Sequence, residues 1–138
     1  DTIRKMLKLA CVTKRDMVYD LGSGDGRALI IAAKEFHAKA VGIERNRLLV
    51  LLSSWIINRN KLQDKIKIIH DDIFKKNLKN ADVILMYLSH KLTQGLKSKF
   101  KKELKKGTRI VSASHPIVGW EEVRRIRTGH FYSYLYKI

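Results

Sequence analysis

Three glycines and two aspartates lie close together near the start of the chain, in the segment 18–27, which reads VYDLGSGDGR. Gly22, Gly24 and Gly26 follow a short run of strand-forming residues, and a helical pattern begins directly after Arg27. This order predicts a strand, a tight turn and a helix, a unit that brings backbone amides against a bound ligand. Glycine suits such a turn because it tolerates positive φ and, without a Cβ, lets a ligand touch the backbone.

The glycine spacing and the nearby charges indicate which kind of ligand the turn accepts. A dinucleotide-binding turn has the pattern GxGxxG and places a pyrophosphate at the helix N-terminus. Here the pattern is GxGxG, and Arg27 occupies the position of the last glycine. Asp20 and Asp25 surround the turn with negative charge, which would repel a pyrophosphate and attract a cation. A turn that only joins a strand to a helix is the alternative interpretation.

Further polar residues end the apolar runs that follow. Glu44 ends the run 40–43 and falls where a doubly wound fold places the carboxylate that holds a ribose. Asp72 follows the alternating run 65–69, so it is expected along the same ligand crevice, although capping a helix is its alternative role. Tyr87 and Ser89 lie at the end of a continuous apolar run, as expected for a central parallel strand.

The periodicity of the chain predicts the elements that position these residues. Helical patterns cover 2–10, 27–36, 47–60, which Asn46 could cap, and the basic segment 91–106. Strand patterns cover 17–21, 40–44, 65–69, 81–88 and 108–112, and a hairpin follows at 123–127 and 131–138. Strands that alternate with helices in this way predict an α/β three-layer sandwich with a doubly wound, mostly parallel sheet, ending in a C-terminal antiparallel hairpin.

Length and composition predict one globular domain over residues 1–138, since 45% of the residues are hydrophobic. The single cysteine, Cys11, excludes an intramolecular disulfide and suits a reducing compartment, so we expect a cytoplasmic protein. Cys11 itself is expected to be a small buried residue on the first helix. No apolar run reaches the roughly 18 residues that a transmembrane helix needs.

The net charge of the chain is +16, from 29 Lys and Arg residues against 13 Asp and Glu residues. Such a charge attracts anionic partners, which include nucleic acid, acidic membranes and acidic proteins. Charge alone does not choose among these partners, and a solvated basic face without any partner is the alternative.

The segment 48–57, LLVLLSSWII, makes the third predicted helix apolar nearly all round. One face of that helix is expected to cover the sheet. The other face needs an explanation, because exposed apolar patches usually mark partners. We expect it to be buried under neighbouring helices; a dimer contact or contact with a membrane or a membrane-bound partner is the alternative.

These motifs together resemble class I S-adenosylmethionine-dependent methyltransferases. They are more closely similar to the small archaeal protein-lysine methyltransferases and to the enzymes that modify the membrane-embedded c-subunit of ATP synthase. The resemblance extends over nearly the whole chain and rests on the acidic-x-GxGxG turn at 20–26, VGIERN at 41–46, DDIF at 71–74 and LKKGTRIVSASHPIVGW at 104–120. It implies a Rossmann-like methyltransferase fold and methyl transfer from S-adenosylmethionine to a lysine side chain of a protein substrate.

The resemblance also implies roles for individual residues. Asp20 would face the sulfonium and ammonium groups of the cofactor, and Glu44 would accept the ribose hydroxyls. The full set of predicted cofactor-binding residues is Asp20, Gly22, Ser23, Gly24, Asp25, Gly26, Glu44, Arg45, Asp72 and Ile73. Tyr87 or Ser89 would orient the acceptor nitrogen as the catalytic residues, His115 is a candidate base, and no metal is expected.

Two other functions stay open on the sequence alone. The basic charge favours an RNA or other nucleic-acid methyltransferase, although Tyr-Leu-Ser at 87–89 replaces the Asn-Pro-Pro-Tyr signature of many enzymes that methylate base amines. A module that binds S-adenosylmethionine without turnover is the second alternative.

Overall fold

A seven-stranded sheet forms the middle layer of the molecule, and the computed structural model describes all residues from 1 to 138. The strands are β1 (Met17–Leu21), β2 (Lys39–Glu44), β3 (Ile66–His70), β4 (Val83–Met86), β5 (Arg109–Ala113), β6 (Arg124–Thr128) and β7 (Phe131–Lys137). Their order in the sheet is β3-β2-β1-β4-β5-β7-β6. The first five strands pair in parallel, and β7 pairs antiparallel with both β5 and β6. The predicted mostly parallel sheet with a C-terminal hairpin is confirmed.

Helices cover both faces of this sheet. On one face, α1 (Thr2–Leu9), α2 (Arg27–Phe36) and α3 (Arg47–Arg59) share a buried cluster with the sheet side chains. On the other face, α4 (His90–Gly95) and α5 (Lys97–Glu103) bury Leu96 and Phe100 in a second cluster. The predicted three-layer sandwich is therefore confirmed. None of its helices combines the length and apolar character needed to cross a bilayer.

The predicted single helix over 91–106 is wrong, because the segment contains two short helices that meet at Leu96. Gly95, a weak helix former, ends α4, and a Cβ at this position would lie 3.3 Å from the Phe74 ring. Of the apolar stripe predicted for this segment, Leu96, Phe100 and Leu104 are buried, whereas Leu92 is 37% exposed. The break therefore lets Phe74 approach the backbone without displacing the three buried residues from the core.

The expectation that Cys11 is buried on the first helix is also wrong. The helix α1 ends at Leu9, and Cys11 follows it as an exposed residue with φ of 53°. Its N–H donates to the Lys8 carbonyl at 2.9 Å, and the Val12 N–H donates to the Leu7 carbonyl at 3.1 Å. These two bonds form a Schellman ending, which turns the Cys11 side chain toward solvent.

The outer side of α3 is exposed, so the predicted burial under neighbouring helices is wrong. This helix packs on β2 and β3 and buries Ser53 and Ile57. Leu51 and Trp55, by contrast, are 59% and 58% exposed. The segment is hydrophobic on both sides, but no other helix lies over its outer side.

Candidate active site

The glycine-rich turn joins β1 to α2 at the carboxyl ends of the central strands. Gly22, Gly24 and Gly26 have φ values of 79°, 58° and 84°, as their spacing predicts. Gly26 also provides space, because a Cβ there would lie 3.2 Å from the Cβ of Ser53 on α3. The turn is thus held between the sheet and α3.

The backbone amides of the turn are largely engaged within the protein. The Gly22 and Ser23 N–H groups both donate to the Ile43 carbonyl, at 2.8 and 3.2 Å. The Gly24 N–H donates to Glu44 Oε1 at 2.8 Å, and the Gly26 N–H donates to the Ser23 carbonyl at 2.9 Å. These amides are not free to form a phosphate cradle, whereas carboxylates lie beside the turn. This arrangement suits a cationic ligand better than a pyrophosphate.

Gly42 in β2 makes room for this turn, and sequence reasoning missed it. Its φ is not in the left-handed region, so conformational freedom does not explain the glycine. A Cβ at this position would lie 2.5 Å from the Ser23 hydroxyl and 2.6 Å from Leu29 Cδ1. The Ser23 side chain therefore lies against β2, where its hydroxyl is buried without a hydrogen-bond partner.

Glu44 ends β2 with a buried carboxylate that the backbone holds in place. Its Oε1 accepts from the Gly24 N–H at 2.8 Å, and its Oε2 accepts from the Asn46 N–H at 2.7 Å. Each carboxylate oxygen has a second lone pair available for a further donor. Asn46 in turn caps α3 by accepting from the Leu48 N–H at 2.9 Å, which confirms its predicted role.

A pocket of about 180 Å³ lies beside Glu44 and brings together several predicted cofactor-binding residues. Its walls are mostly apolar and also include the carboxylates of Glu44 and Asp72. This combination suits a flat ring attached to a sugar. The predicted residues in its lining are Gly22, Glu44, Arg45, Asp72 and Ile73, and those that sequence reasoning missed are Ile43, Phe74, Leu88 and Leu92.

Asp72 lies after β3, where it caps a turn and not the helix that was its alternative role. Its Oδ1 accepts from the Phe74 N–H at 2.8 Å and so caps the turn that follows β3. The same side chain lines the small pocket. The capping bond fixes the carboxylate in position and leaves Oδ2 free to accept from a ligand.

A larger cleft of about 560 Å³ lies next to the small pocket, and Gly22 borders both. Asp20 and Tyr87 line this cleft together with Phe131 from β7 and Ile3 from α1. Burial, together with the nearby carboxylates of Glu44 and Asp25, raises the pKa of Asp20 to about 7. A cationic ligand would lower the pKa of Asp20 again, because a nearby positive charge favours the ionised carboxylate.

Some predicted site residues lie outside these two cavities. Asp25 forms an ion pair with Arg27 at 2.8 Å, and the Arg27 guanidinium lowers the pKa of that carboxyl. Ser89 caps α4 by accepting from the Leu92 N–H at 3.2 Å. The His115 ring lies against the His90 ring, with 5.9 Å between the ring centres. Of the acceptor-side candidates, only Tyr87 lines the larger cleft.

The walls of the larger cleft include residues that no local motif could identify. Phe131 packs its ring 5.3 Å from the ring of Tyr87, although the two positions belong to different elements. Ile3 and Met6 come from the first helix, and Arg27 comes from the start of α2. The topology of the sheet brings these residues together. The sequence could have predicted this wall only if the position of β7 next to β5 had been known.

Comparison with known proteins identifies the family. The family model described as the ANTKMT methyltransferase domain matches residues 20–124. The chain is 40% identical to a protein-lysine N-methyltransferase of Saccharolobus islandicus, with 99% of this chain and 88% of that protein covered. It is 31% identical to the adenine nucleotide translocase lysine N-methyltransferase of Mus musculus, with 80% of this chain and 48% of that protein covered. The chain thus spans about half the length of this mouse relative.

A solved structure with the same fold contains a bound cofactor product. The crystal structure of an RNA methyltransferase from Salinibacter ruber in complex with S-adenosyl-L-homocysteine has a TM-score of 0.96 and 32% identity, and the match covers 99% of this chain and 89% of that one. The charged and apolar parts of the site described above fit S-adenosylmethionine, from which that product is formed, since a nucleoside with a positive sulfur needs both carboxylates and an apolar pocket. S-adenosylmethionine is therefore the cofactor, and the chain belongs to the ANTKMT methyltransferase family of S-adenosylmethionine-dependent methyltransferases.

Proposed function

We propose that this protein transfers methyl groups to lysine side chains of a protein substrate. The observation that carries the proposal is the 40% identity, over 99% of the chain, to a protein-lysine N-methyltransferase. The larger cleft supports it, because its lining of aliphatic and aromatic side chains beside Asp20 suits a long alkyl chain that ends in nitrogen.

The small pocket would hold the nucleoside part of the cofactor. Glu44 would accept both ribose hydroxyls, since its two oxygens are already oriented by backbone N–H groups. Asp72 would accept from the exocyclic adenine amine, while Ile73 and Arg45 would lie beside the ring. These contacts orient the nucleoside without taking part in chemistry.

The turn and Asp20 would hold the charged end of the cofactor. Bound S-adenosylmethionine supplies an electrophilic methyl group on a positive sulfur. Asp20 would face the sulfonium and ammonium groups in its ionised form. The backbone of Gly22, Ser23, Gly24 and Gly26 would contact the homocysteine part. Asp25 would act less directly, since it is paired with Arg27 outside both cavities.

The acceptor side would deliver a neutral amine in line with the bond to sulfur. A lysine in water has a pKa of about 10.4, so it must lose a proton before it can attack. The apolar walls of the larger cleft would favour the neutral amine by desolvation. Tyr87, which lines this cleft, would orient the nitrogen. Ser89, two residues further along the chain, is the second candidate for this role. Such alignment contributes about 7–11 kcal/mol to barrier reduction in favourable cases.

A labelling experiment tests the acceptor. The protein is incubated with radiolabelled cofactor and cell lysate, and the products are divided and digested with protease or nuclease. We expect protease to release the label, and acid hydrolysis to yield methylated lysine. The matched variants Glu44→Ala and Glu121→Ala separate cofactor-dependent labelling from background, because Glu121 is an exposed glutamate outside both cavities.

A second candidate acceptor is RNA, and two observations favour it. The Salinibacter ruber protein with the matching structure is named an RNA methyltransferase. The edge strand β6 also exposes Arg125, whose guanidinium carbon lies 5.7 and 5.0 Å from the ring centres of Tyr132 and Tyr134. Arginines and aromatic rings together suit single-stranded nucleic acid. Label that nuclease removes and protease leaves would support this candidate and contradict lysine transfer.

A further inference from the structure

The outer side of α3 carries a continuous apolar surface, which we name the α3 face. It consists of Leu48, Leu51, Leu52 and Trp55, which are 75%, 59%, 45% and 58% exposed. Their spacing of three and four residues aligns them along one side of the helix. The face therefore runs along α3 from Leu48 to Trp55, a distance of about 12 Å.

The folded domain does not need this face. The helix packs against the sheet and the glycine-rich turn through Ser53 and Ile57, which lie on its opposite side. The buried side of α3 thus includes a serine, whereas its exposed side consists of leucines and a tryptophan. Packing within the domain does not explain why the larger apolar residues are on the exposed side. A contiguous exposed apolar surface of this kind usually marks an interaction site.

The charges around the α3 face are positive. Arg47 and Arg59 are exposed at the two ends of the helix, and the Arg59 guanidinium carbon lies 5.1 Å from the centre of the Trp55 ring. No residue between 47 and 59 is acidic. At the C-terminal end, Lys34 of α2 donates to the side chain of Asn60 at 2.9 Å, which adds another cation.

The acidic groups near α3 do not offset these cations on the outer side. Glu44 is buried behind the start of the helix, where backbone N–H groups bind both of its oxygens. Asp25 is paired with Arg27. Asp64 is exposed beyond the end of the helix, but Lys61 and Lys65 lie on either side of it in the chain.

We propose that the α3 face docks on the surface of an anionic phospholipid bilayer. An interfacial helix buries leucine and tryptophan at the boundary between headgroups and acyl chains, while its cations contact anionic lipids. Both requirements are met along α3. This inference does not depend on which group the enzyme methylates.

A second copy of the chain fits the face less well. Three leucines and one tryptophan that are 45–75% exposed provide roughly 400 Å². A stable protein interface needs about 800 Å² on each partner. The remaining area would have to come from the surrounding surface, where a symmetric contact would bring arginines of both copies together. An anionic bilayer complements these charges instead.

Docking in this way would place the cofactor crevice close to the lipid surface. The helix α3 begins directly after Glu44, and the Asn46 N–H donates to the Glu44 carboxylate at 2.7 Å. The N-terminal end of the α3 face therefore adjoins the small pocket.

Vesicle cosedimentation of the whole protein tests the proposal. Vesicles of phosphatidylcholine alone are compared with vesicles that also contain phosphatidylglycerol. We expect binding to the anionic vesicles and at least tenfold weaker binding by the double variant L51S/W55S, because two large apolar contacts are lost. The matched control is V123S, which removes an apolar side chain of similar exposure, 61%, outside α3.

Fluorescence tests insertion directly. Lipids brominated in the acyl chain should quench the emission of the wild-type protein, and the quenching should disappear in the W55F variant while vesicle binding persists. Equal binding of L51S/W55S and wild type to anionic vesicles would overturn the proposal, since the general positive charge would then suffice. A dimer in light scattering that L51S/W55S converts to monomer, with no vesicle binding by either protein, would also overturn it.

Discussion

The two halves of the proposed active site, the cofactor side and the acceptor side, are built in different ways. On the cofactor side, Glu44 and the glycine-rich turn are connected by backbone hydrogen bonds, and the buried carboxylate is fixed at both oxygens. On the acceptor side, Tyr87 is 65% exposed, and its ring contact is with Phe131. The cofactor side is thus organised before anything binds, whereas the acceptor side presents side chains to solvent.

This difference indicates that the two sides respond differently to substitution. A fixed carboxylate loses little entropy when a ligand binds, so its contacts should contribute strongly to affinity. An exposed aromatic pair becomes ordered only when a substrate covers it. We therefore expect substitutions on the cofactor side to change cofactor affinity, and substitutions on the acceptor side to change turnover.

The largest effect is expected for Glu44→Ala. This substitution removes the proposed contacts to both ribose hydroxyls, and a hydrogen bond to a charged group contributes about 1.5–3 kcal/mol. Because water replaces part of the loss, we expect about 100-fold weaker cofactor binding by calorimetry. Glu121→Ala is the control. If Glu44→Ala bound the cofactor as tightly as the wild type, the fixed carboxylate would not contribute to affinity. The proposed difference between the cofactor side and the acceptor side would then be wrong.

Gly42→Ala should destabilise the cofactor side through its packing. The added Cβ would lie 2.5 Å from the Ser23 hydroxyl, so the turn or β2 must shift. We expect the free energy of unfolding in urea to fall by about 2 kcal/mol.

Gly24→Ala is the matched control for this substitution. A Cβ at Gly24 would have no neighbour within 4 Å, so only its positive φ of 58° opposes alanine. Its expected cost is about 1 kcal/mol. An equal or smaller loss for Gly42→Ala would show that the turn is less rigid than the contacts imply.

Cofactor affinity should depend on pH through Asp20. Burial raises the pKa of Asp20 to about 7, so the carboxyl is about half ionised in the unliganded protein at that pH. Only the ionised form attracts the sulfonium, and affinity should therefore fall about tenfold between pH 8 and pH 6. Asp20→Asn should flatten this profile. A profile that is the same in both proteins would assign the pH dependence to another group.

The same group makes stability depend on pH in the opposite direction. The pKa of Asp20 is higher in the folded protein than the value of about 3.9 in an unfolded chain. The folded state therefore binds more protons between these two values, and the contribution of Asp20 to stability decreases as pH rises through this range. Asp20→Asn should lose this decrease in denaturant titrations at pH 5 and pH 8.

The smallest effect is expected on the acceptor side, for Ser89→Ala. The substitution removes the cap of α4, which should lower the free energy of unfolding by about 1 kcal/mol or less. If Ser89 also orients the acceptor, turnover should fall while cofactor affinity stays constant. Turnover that falls only in proportion to the folded fraction would restrict Ser89 to its capping role.

The sequence predicted the cofactor side well because its signals are local. The turn, Glu44 and Asp72 each come at or just after the carboxyl end of a parallel strand, so the sheet brings them to one edge. Their predicted positions agree with the pocket that the structure shows. Their binding roles stay predictions.

The features that the sequence did not predict depend on contacts between distant segments of the chain. Phe131 reaches the larger cleft because β7 inserts between β5 and β6, which no local pattern specifies. Gly42 is needed by a turn some 20 residues earlier in the chain. The exposure of the α3 face likewise depends on which elements pack over the helix. Hydrophobicity predicts that an apolar surface is covered, but not whether the same chain or a partner covers it.

The position of Cys11 makes the chain convenient to label. It is the only cysteine, its side chain is exposed, and its carbonyl accepts from the Arg109 guanidinium at 3.3 Å. Arg109 begins β5, so this thiol lies at the amino ends of the parallel strands, on the opposite edge from the crevice. A maleimide dye attached there would report molecular orientation on a supported lipid film without obstructing the catalytic machinery.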